Sequence, residues 1–228
     1  MVRDTLPIME NRNVKAVIFD MDGVLINSEP LHYEVDLQIL KEANIFVEPS
    51  YFDSFMGMTN GEMWQRISQE HTIAMPLDAL IKKQLSMKIA LLRSRNYQAI
   101  PGVMNLIQDL VAHSIPVSVA SSSPQEFITE VLDKISLSNY ICHGVSAERV
   151  RFGKPAPDVF LFVAQLMNTK PQDCIVFEDS ENGVLSAKRA GMKVIGYRNP
   201  TSGNQNLTLA DMIIDAFHDV SLDFLMNL

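Results

Sequence analysis

Short apolar segments rich in β-branched residues alternate with amphipathic helical segments along most of this 228-residue chain. Segments of that kind, bounded by turn-forming residues, are typical of buried strands in a parallel sheet. Their alternation with helices indicates a doubly wound sheet. The sequence therefore predicts an α/β fold with a Rossmann-like core. The predicted strands are Ala16–Phe19, Ile115–Ala120, Tyr140–Cys142, Cys174–Phe177, Lys193–Tyr197 and Met212–Ile214.

One long stretch after the first strand interrupts this alternation, because it has helical patterns and no convincing strand. Its clearest later helices are predicted at Thr59–Gln69 and Leu77–Asn96. The stretch is large enough to form a domain of its own. We therefore expect a helical insertion at residues 29–98, and an α/β core made of residues 1–28 and 99–228.

The composition argues against several classes of partner. The chain has 27 acidic and 19 basic residues, a net charge of −8, and no cluster of Lys or Arg. Nucleic acids and anionic membranes are bound through basic patches, so neither is expected as a partner. No apolar stretch approaches the length of a membrane span, about 20 residues. Residues 1–13 lack the apolar segment of a signal peptide, which predicts a cytoplasmic protein.

The two cysteines, Cys142 and Cys174, lie in apolar, strand-like surroundings. They form no CxxC motif and have no spacing typical of a metal site. A free cysteine in such surroundings behaves as a small apolar residue. Both are therefore predicted to be buried free thiols.

Polar residues follow several of the predicted strands at the point where each strand ends. Asp20 and Asp22 close the first strand, Ser121 the second, and the pair Glu178–Asp179 a later one. Lys154 lies in a proline-rich loop between them. In a doubly wound sheet the carboxyl ends of the strands lie along one edge, where ligands bind. We expect these side chains to meet there.

The residue types in this set complement one another chemically. Carboxylates gathered at one place repel each other, which raises their pKa values. A hard cation such as Mg²⁺ relieves that repulsion, takes oxygen ligands and is often bound together with substrate phosphates. A lysine and a serine suit the remaining phosphate oxygens. The set is typical of a phosphoryl-transfer site with a metal, an anion binder and a carboxylate nucleophile.

Each member of the set also has a simpler interpretation. Ser121 can be a turn or cap residue, Lys154 can be a surface lysine, and Glu178–Asp179 can be acidic residues that favour a helix N-terminus. Taken together, at the strand ends and in this order, these simpler interpretations become much less convincing.

Two further serines match capping patterns, with a proline following each. Ser28 precedes a helical pattern in which Pro30 suits the first turn. Ser123 and Glu126 form a capping-box pattern with Pro124 between them. Both serines are therefore predicted to cap helices.

Four segments of the chain also match the motifs of the haloacid dehalogenase-like superfamily, which the chain therefore resembles. They are Asp20-Met-Asp22-Gly23-Val24, the serine at 121 after Val117–Ala120, Lys154 in Gly-Lys-Pro-Ala-Pro-Asp, and Glu178-Asp179-Ser180. The resemblance covers essentially the whole chain, because the helical insertion lies where family members carry a helical cap. The β-phosphoglucomutase-like sugar-phosphate phosphatases and mutases are the most similar subgroup.

The resemblance implies a role for each matching residue. Asp20 would attack phosphorus and form an aspartyl-phosphate. Asp22 would protonate the leaving oxygen and then act as a base for the acceptor. Ser121 and Lys154 would hold the transferring phosphoryl group, with Ser122 next to them.

The same resemblance implies a Mg²⁺ site. The metal would be held by Asp20, the main-chain oxygen of Asp22 and Asp179, with Glu178 helping directly or through water. Gly23 belongs to the same motif and is expected at the phosphate site. Phosphoryl transfer depends mostly on positioning and on charge neutralisation, which agrees with these roles.

The cap departs from the mutase pattern at one position. Where the mutases have an arginine that grips a second phosphate, this chain has Asn60, which cannot give a charged bidentate contact. His32 matches a mutase histidine and either helps to switch Asp22 or packs at the hinge. Trp64 and Met56 either line the pocket or belong to the core.

These features predict a Mg²⁺-dependent phosphatase for a small phosphorylated metabolite, a sugar or polyol monophosphate. A sugar-phosphate mutase is the alternative, and it needs a cationic cap residue such as Lys83 or Lys88 at the distal end of the site. A dehalogenase would lack Asp22. A non-catalytic binding protein on the same fold would have lost part of the site, and none is lost here. We expect a monomer or a weak homodimer.

Overall fold

A computed structural model describes residues 14–55 and 58–228, and the centre of the molecule is a parallel sheet of six strands. The strand order is β3-β2-β1-β4-β5-β6, which confirms the α/β prediction. The first strand is therefore central, and the chain winds outward from it in both directions. The strands are β1 (Ala16–Phe19), β2 (Val117–Ser121), β3 (Ile141–Ser146), β4 (Cys174–Glu178), β5 (Lys193–Tyr197) and β6 (Met212–Ile214).

The helices fall into two groups. Three of them follow β1 directly and form an inserted cap, as the sequence predicts. They are α1 (Glu29–Glu42), α2 (Asn60–Glu70) and α3 (Leu77–Ser94), with a 3₁₀ segment at Pro49–Phe55. The exact boundaries between the core and the cap, predicted at residues 28/29 and 98/99, stay predictions. The others belong to the core and are α4 (Val103–Ala112), α5 (Gln125–Lys134), α6 (Asp158–Leu166), α7 (Glu181–Arg189) and α8 (Leu222–Met226).

The register of the three central strands places their carboxyl ends at the same level. Phe19 pairs with Val119 of β2 and with Phe177 of β4. The rings of Phe19 and Phe177 stack with their centroids 4.7 Å apart. All four residues of β1 are buried, because apolar layers cover both faces of the sheet. The residue after Phe19 therefore emerges at the middle of the sheet edge.

The cap has a small apolar core of its own, centred on Trp64, which is fully buried. Of the two interpretations for this residue, the core is the one observed. Helix α2 is capped by a capping box of Thr59 and Glu62. The two linkers to the core meet in a bridge between Ile26 and Ala99. Met56, the other candidate pocket residue, lies outside the described residues.

Both predicted serine caps are wrong. Ser28 occupies the N-cap position of α1, but its side chain makes no capping hydrogen bond. Helix α5 begins at Gln125 with Pro124 at its N-cap, so Ser123 does not cap it either. The physical reason is a competing acceptor, because both hydroxyls donate to Asp22 instead.

The cysteine prediction is correct in part. Both thiols are free, and Cys174 is buried. Cys142 is exposed, because it lies on β3 at the edge of the sheet, where a side chain can face solvent. Among the helices of residues 14–55 and 58–228, none combines the length and apolar character that a membrane span needs.

Candidate active site

Asp20 and Lys154 form a buried ion pair at the end of β1. Nζ of Lys154 lies 2.5 Å from Oδ1 of Asp20 and 2.8 Å from Oε1 of Glu178. It also donates to the main-chain oxygen of Ala120, at 3.1 Å. These acceptors use the three donors of the ammonium group. Burial would lower the pKa of Lys154, but the two carboxylates outweigh it and raise that pKa, so the lysine stays charged.

Asp20 carries an excess of negative charge around it. Burial raises its pKa well above the ordinary value, Lys154 lowers it, and Glu178, Asp179 and Asp22 raise it further. The ion pair with Lys154 does not cancel this rise in the pKa of Asp20, because the one ammonium group is shared between Asp20 and Glu178. A cation is therefore favoured at this position.

Glu178 is held by protein donors on both oxygens. Oε1 accepts from Lys154, and Oε2 accepts from the main-chain N of Ser180 at 2.9 Å and from its Oγ at 3.0 Å. The side chain is fully buried. The arrangement makes Glu178 an orienting partner of Lys154.

Asp179 follows β4, the neighbour of β1 in the sheet, and is 3% exposed. Burial, Glu178 and Glu29 raise its pKa, in that order, whereas Ser202 and Lys154 lower it. The hydroxyl of Ser202 donates to Oδ2 of Asp179. Two buried carboxylates whose charges are incompletely compensated are thus brought to one place.

Gly23 lies behind these carboxylates and is needed for their approach. Its φ is +79°, and a Cβ atom there would lie 1.9 Å from Oδ2 of Asp179 and 2.8 Å from Oγ of Ser202. Asn199 donates from Nδ2 to the main-chain oxygen of Gly23, at 2.8 Å. The loop between β5 and β6 therefore ties the Asp22–Gly23 turn to Asp179.

The donor set fits a hard divalent cation that keeps several water ligands. In the described part of the chain, no three His, Cys, Asp or Glu side chains form a cluster that could hold a metal by themselves. Mg²⁺ is usually bound by one or two carboxylates, with waters and substrate phosphates completing its shell. Asp20 and Asp179, with their raised pKa values, meet that requirement.

Asp22 accepts hydrogen bonds from four side chains. Ser28 Oγ and His32 Nε2 contact its Oδ1 at 2.6 and 2.8 Å. Ser121 Oγ and Ser123 Oγ contact its Oδ2 at 3.2 and 2.8 Å. Burial would raise the pKa of Asp22, but His32 and the serine hydroxyls lower it below its ordinary value. Asp22 is therefore held as a carboxylate.

The donors to Asp22 come from both parts of the molecule. Ser28 and His32 stand at the start of α1, four residues apart, a spacing that puts both on one helix face. Ser121 and Ser123 belong to the end of β2 and the turn that follows it. The sequence analysis did not predict that Ser28 and Ser123 donate hydrogen bonds to Asp22. The four-residue spacing from Ser28 to His32 was a usable signal for the first of them.

A cavity between the cap and the sheet edge is lined by three of the predicted substrate-binding residues, His32, Asn60 and Ser122, whereas Ser121, Lys154 and Gly23 are not part of its lining. Lys88 reaches this cavity, whereas Lys83 pairs with Glu42 on the outside of the cap. Glu29, which was not predicted as a site residue, also lines the cavity. The lining includes Asp20, Asp22, Ser122 and Asp179 from the core and Glu29, His32, Asn60 and Lys88 from the cap.

Comparison with known proteins places this site in a family. The sequence profile described as haloacid dehalogenase-like hydrolase matches residues 17–197. A probable pseudouridine-5'-phosphatase of Drosophila melanogaster is 30% identical over 214 residues, which cover 91% of this chain and 92% of that protein. A phosphorylated carbohydrates phosphatase of Thermotoga maritima is 31% identical over 182 residues, 80% and 84% of the two chains.

The fold is similar to that of a solved structure. The crystal structure of CbbY from Rhodobacter sphaeroides in complex with phosphate superimposes with a TM-score of 0.86. The two share 20% sequence identity, and the superposition covers 94% of this chain and all of the other. The matched residues run from β1 to β5 and include every motif at the sheet edge. The chain therefore belongs to the haloacid dehalogenase-like hydrolase family.

Proposed function

We propose that this protein is a Mg²⁺-dependent phosphatase that hydrolyses the monophosphate of a small sugar or polyol through an aspartyl-phosphate at Asp20. The observation that carries the proposal is the contact of Lys154 with Asp20 at the end of the central strand, beside Asp22. The phosphatase names of its relatives support the same reaction.

The chemistry would proceed in two displacements. First, a carboxylate oxygen of Asp20 attacks phosphorus while the bond from phosphorus to the leaving oxygen breaks, and Asp22 gives that oxygen a proton. Then Asp22 takes a proton from water, the water oxygen attacks phosphorus, and the bond from phosphorus to Asp20 breaks. Lys154, Ser121 and Ser122 would hold the phosphoryl oxygens throughout, since positioning and charge neutralisation supply most of this catalysis.

The hydrogen bonds around Asp22 suit only one of its two tasks. Four donors keep Asp22 ionised, which is the form that takes a proton from water. To act as an acid, Asp22 must leave those donors and bind a proton. We expect His32 and Ser28, at the start of the cap, to govern that exchange, because cap movement would displace both together.

Asp20, Asp179 and the main-chain oxygen of Asp22 would hold Mg²⁺, and Glu178 would help directly or through a water molecule. When bound, Mg²⁺ would compensate the charge of the carboxylates and of the phosphate oxygens. Gly23 would keep the turn close enough to Asp179 for that set to form.

A mutase remains the second candidate because one cap cation reaches the cavity. Lys88 lines it, and a mutase needs a cation for the distal phosphate. However, Nζ of Lys88 lies 3.7 Å from Oδ2 of Asp36, and both side chains are 4% exposed. Asn60 offers no charge. The cap therefore favours hydrolysis over capture of a second phosphate.

The test measures phosphate release from a panel of sugar and polyol phosphates, with Mg²⁺ and with a chelator. Release that stops when the metal is removed is the expected result. If hexose 1-phosphate is converted to hexose 6-phosphate without phosphate release, the mutase replaces the phosphatase. Failure of both reactions would overturn the proposal. The cytoplasmic location and the monomeric or weakly dimeric state stay predictions.

A further inference from the structure

Glu29 is a buried acid that lines the cavity between the cap and the sheet edge. It is 8% exposed, and no side chain in residues 14–55 and 58–228 donates a hydrogen bond to its carboxyl group. Burial and the nearby Asp22 and Asp20, in that order, raise its pKa to about 8. Burying an acid among other carboxylates costs free energy, so its retention needs an explanation.

Lys88, a basic residue that lowers the pKa of Glu29, is already engaged. Lys88 pairs with Asp36, and Gln84 Nε2 donates to the other oxygen of Asp36 at 2.6 Å. Gln84, like Lys88, is buried. Asp36 therefore holds Lys88 in place, and the cap side of the cavity has two acids for one base.

An unsatisfied polar group faces the same cavity from α2. Asn60 Nδ2 is buried and has no hydrogen-bond partner among the described residues. An amide N–H group donates, whereas the oxygens of a carboxyl group accept in either protonation state. Glu29 and Asn60 thus offer an acceptor and a donor on the cap side of the cavity, where Lys88 is already paired with Asp36.

We propose that Glu29 is a specificity-determining residue that accepts hydrogen bonds from hydroxyl groups of the leaving group, so that the site selects an uncharged polyhydroxylated alcohol over a second phosphate. This inference rests on the proposed phosphatase function and names the part of the substrate that the cap contacts. Asn60 would donate to a further hydroxyl oxygen. A hydroxyl group can donate to Glu29 and accept from Asn60, whereas an anionic group would meet the carboxylate of Asp36 and a lysine, Lys88, that is already paired with it.

The test compares glucitol 6-phosphate, phenyl phosphate and glucose 1,6-bisphosphate as substrates of the wild type and of Glu29→Gln. Glutamine keeps one of the two acceptor oxygens and replaces the other by a donor. The ratio of kcat/KM for glucitol 6-phosphate to that for phenyl phosphate should therefore fall by about tenfold in the variant, the effect of losing one hydrogen bond. The loss should appear mainly in KM, because Glu29 contacts no reacting atom. Glu34→Gln, on the exposed side of the same helix, is the matched control and should keep the wild-type ratio.

A binding measurement separates this inference from the proposed function. Calorimetry in an Asp20→Asn background, with and without Glu29→Gln, compares the same three esters without any turnover. If glucitol 6-phosphate binds more tightly than the other two and Glu29→Gln removes that preference, the inference holds even when no phosphate is released. An unchanged preference, or no preference in the Asp20→Asn protein, would overturn it.

Discussion

A Cβ atom on Gly183 would lie 1.6 Å from Oε1 of Glu178, so only a glycine lets the Glu178 side chain lie against the first turn of α7. Gly183→Ala should therefore displace Glu178 and release Lys154 from one of its two carboxylates. We expect a loss of stability of about 1–3 kcal/mol, typical of overpacking a buried site, together with a large loss of kcat. Urea unfolding and phosphate release would measure the two effects.

The control for this prediction is Gly61→Ala. Gly61 lies in α2, and the nearest atom to a Cβ there is Cδ1 of Ile81 at 3.9 Å. Alanine is the better helix former by up to about 1 kcal/mol, so this variant should be neutral or slightly stabilised. Equal behaviour of the two variants would contradict the role given to Gly183.

Removal of the nucleophile should abolish turnover and leave the fold intact. Asp20→Asn keeps the size of the side chain but cannot form an aspartyl-phosphate, so we expect kcat to fall by at least about a thousandfold. Phosphate release and circular dichroism give the readouts, with the exposed Asp78→Asn as the control. Near-normal turnover by Asp20→Asn would refute the assignment.

The lowered pKa of Asp22 predicts how the stability of an Asp22→Asn variant, relative to the wild type, depends on pH. An acid whose pKa is lower in the folded state adds stability above its unfolded pKa, and that stability is lost as the pH falls through the folded pKa. Metal-free Asp22→Asn should thus be less stable than the wild type at pH 7, with a difference that narrows below pH values of about 4. The exposed Asp109→Asn should show no comparable trend; a constant difference for Asp22→Asn would exclude this explanation.

Glu29 should show the opposite dependence. Its folded pKa of about 8 lies above the ordinary value of 4.5. The folded protein therefore binds the proton more tightly, and stability is lost as the pH rises from about 4.5 to about 8. In metal-free protein, Glu29→Gln should exceed the wild type in unfolding free energy near pH 8 by up to about 4 kcal/mol, at about 1.4 kcal/mol per pH unit between the two pKa values. The exposed Glu48→Gln is the control, and a Glu29→Gln protein that follows the wild-type curve would disprove the shift.

Ser202 should affect the metal without touching substrate. Its hydroxyl donates to Asp179, and Ser202→Ala removes that donor while leaving the carboxylate in place. Loss of such an outer hydrogen bond typically weakens metal binding by about 10–100-fold. Magnesium titrations followed by calorimetry would measure the change. Ser86→Ala, on the exposed face of α3, should bind Mg²⁺ like the wild type; the same affinity in Ser202→Ala would contradict the prediction.

The sheet and its edge could be predicted because they depend on short-range patterns and on topology. A four-residue apolar run that stops at Asp20 predicts a buried strand, and parallel winding brings Lys154 and Asp179 to the same edge. The limits of β5 and β6 were predicted to the residue, whereas β3 is longer than predicted, since an edge strand has a weaker apolar pattern.

Other parts of the site depend on long-range competition that no local pattern encodes. Ser123 satisfies a capping rule, yet its hydroxyl turns to Asp22, which lies 101 positions away in the chain. The sequence around Gly183 is that of an ordinary helix. Only the position of the Glu178 side chain shows why no Cβ atom can be accommodated at Gly183. In the sequence, Glu29 looks like an ordinary acidic residue in the first turn of a helix. Only the structure shows that it lines the cavity.

Asp22 accepts hydrogen bonds both from the start of the cap and from the core. This restricts how the protein could acquire a new substrate by exchange of its cap. A foreign cap joined after Ser28 would bring its own substitutes for Glu29, Asn60 and Lys88, and with them a new specificity. It would also replace His32, which contacts Asp22 from the first turns of α1. A viable chimera therefore has to take its junction beyond His32, or to receive a cap that supplies a histidine at the same turn.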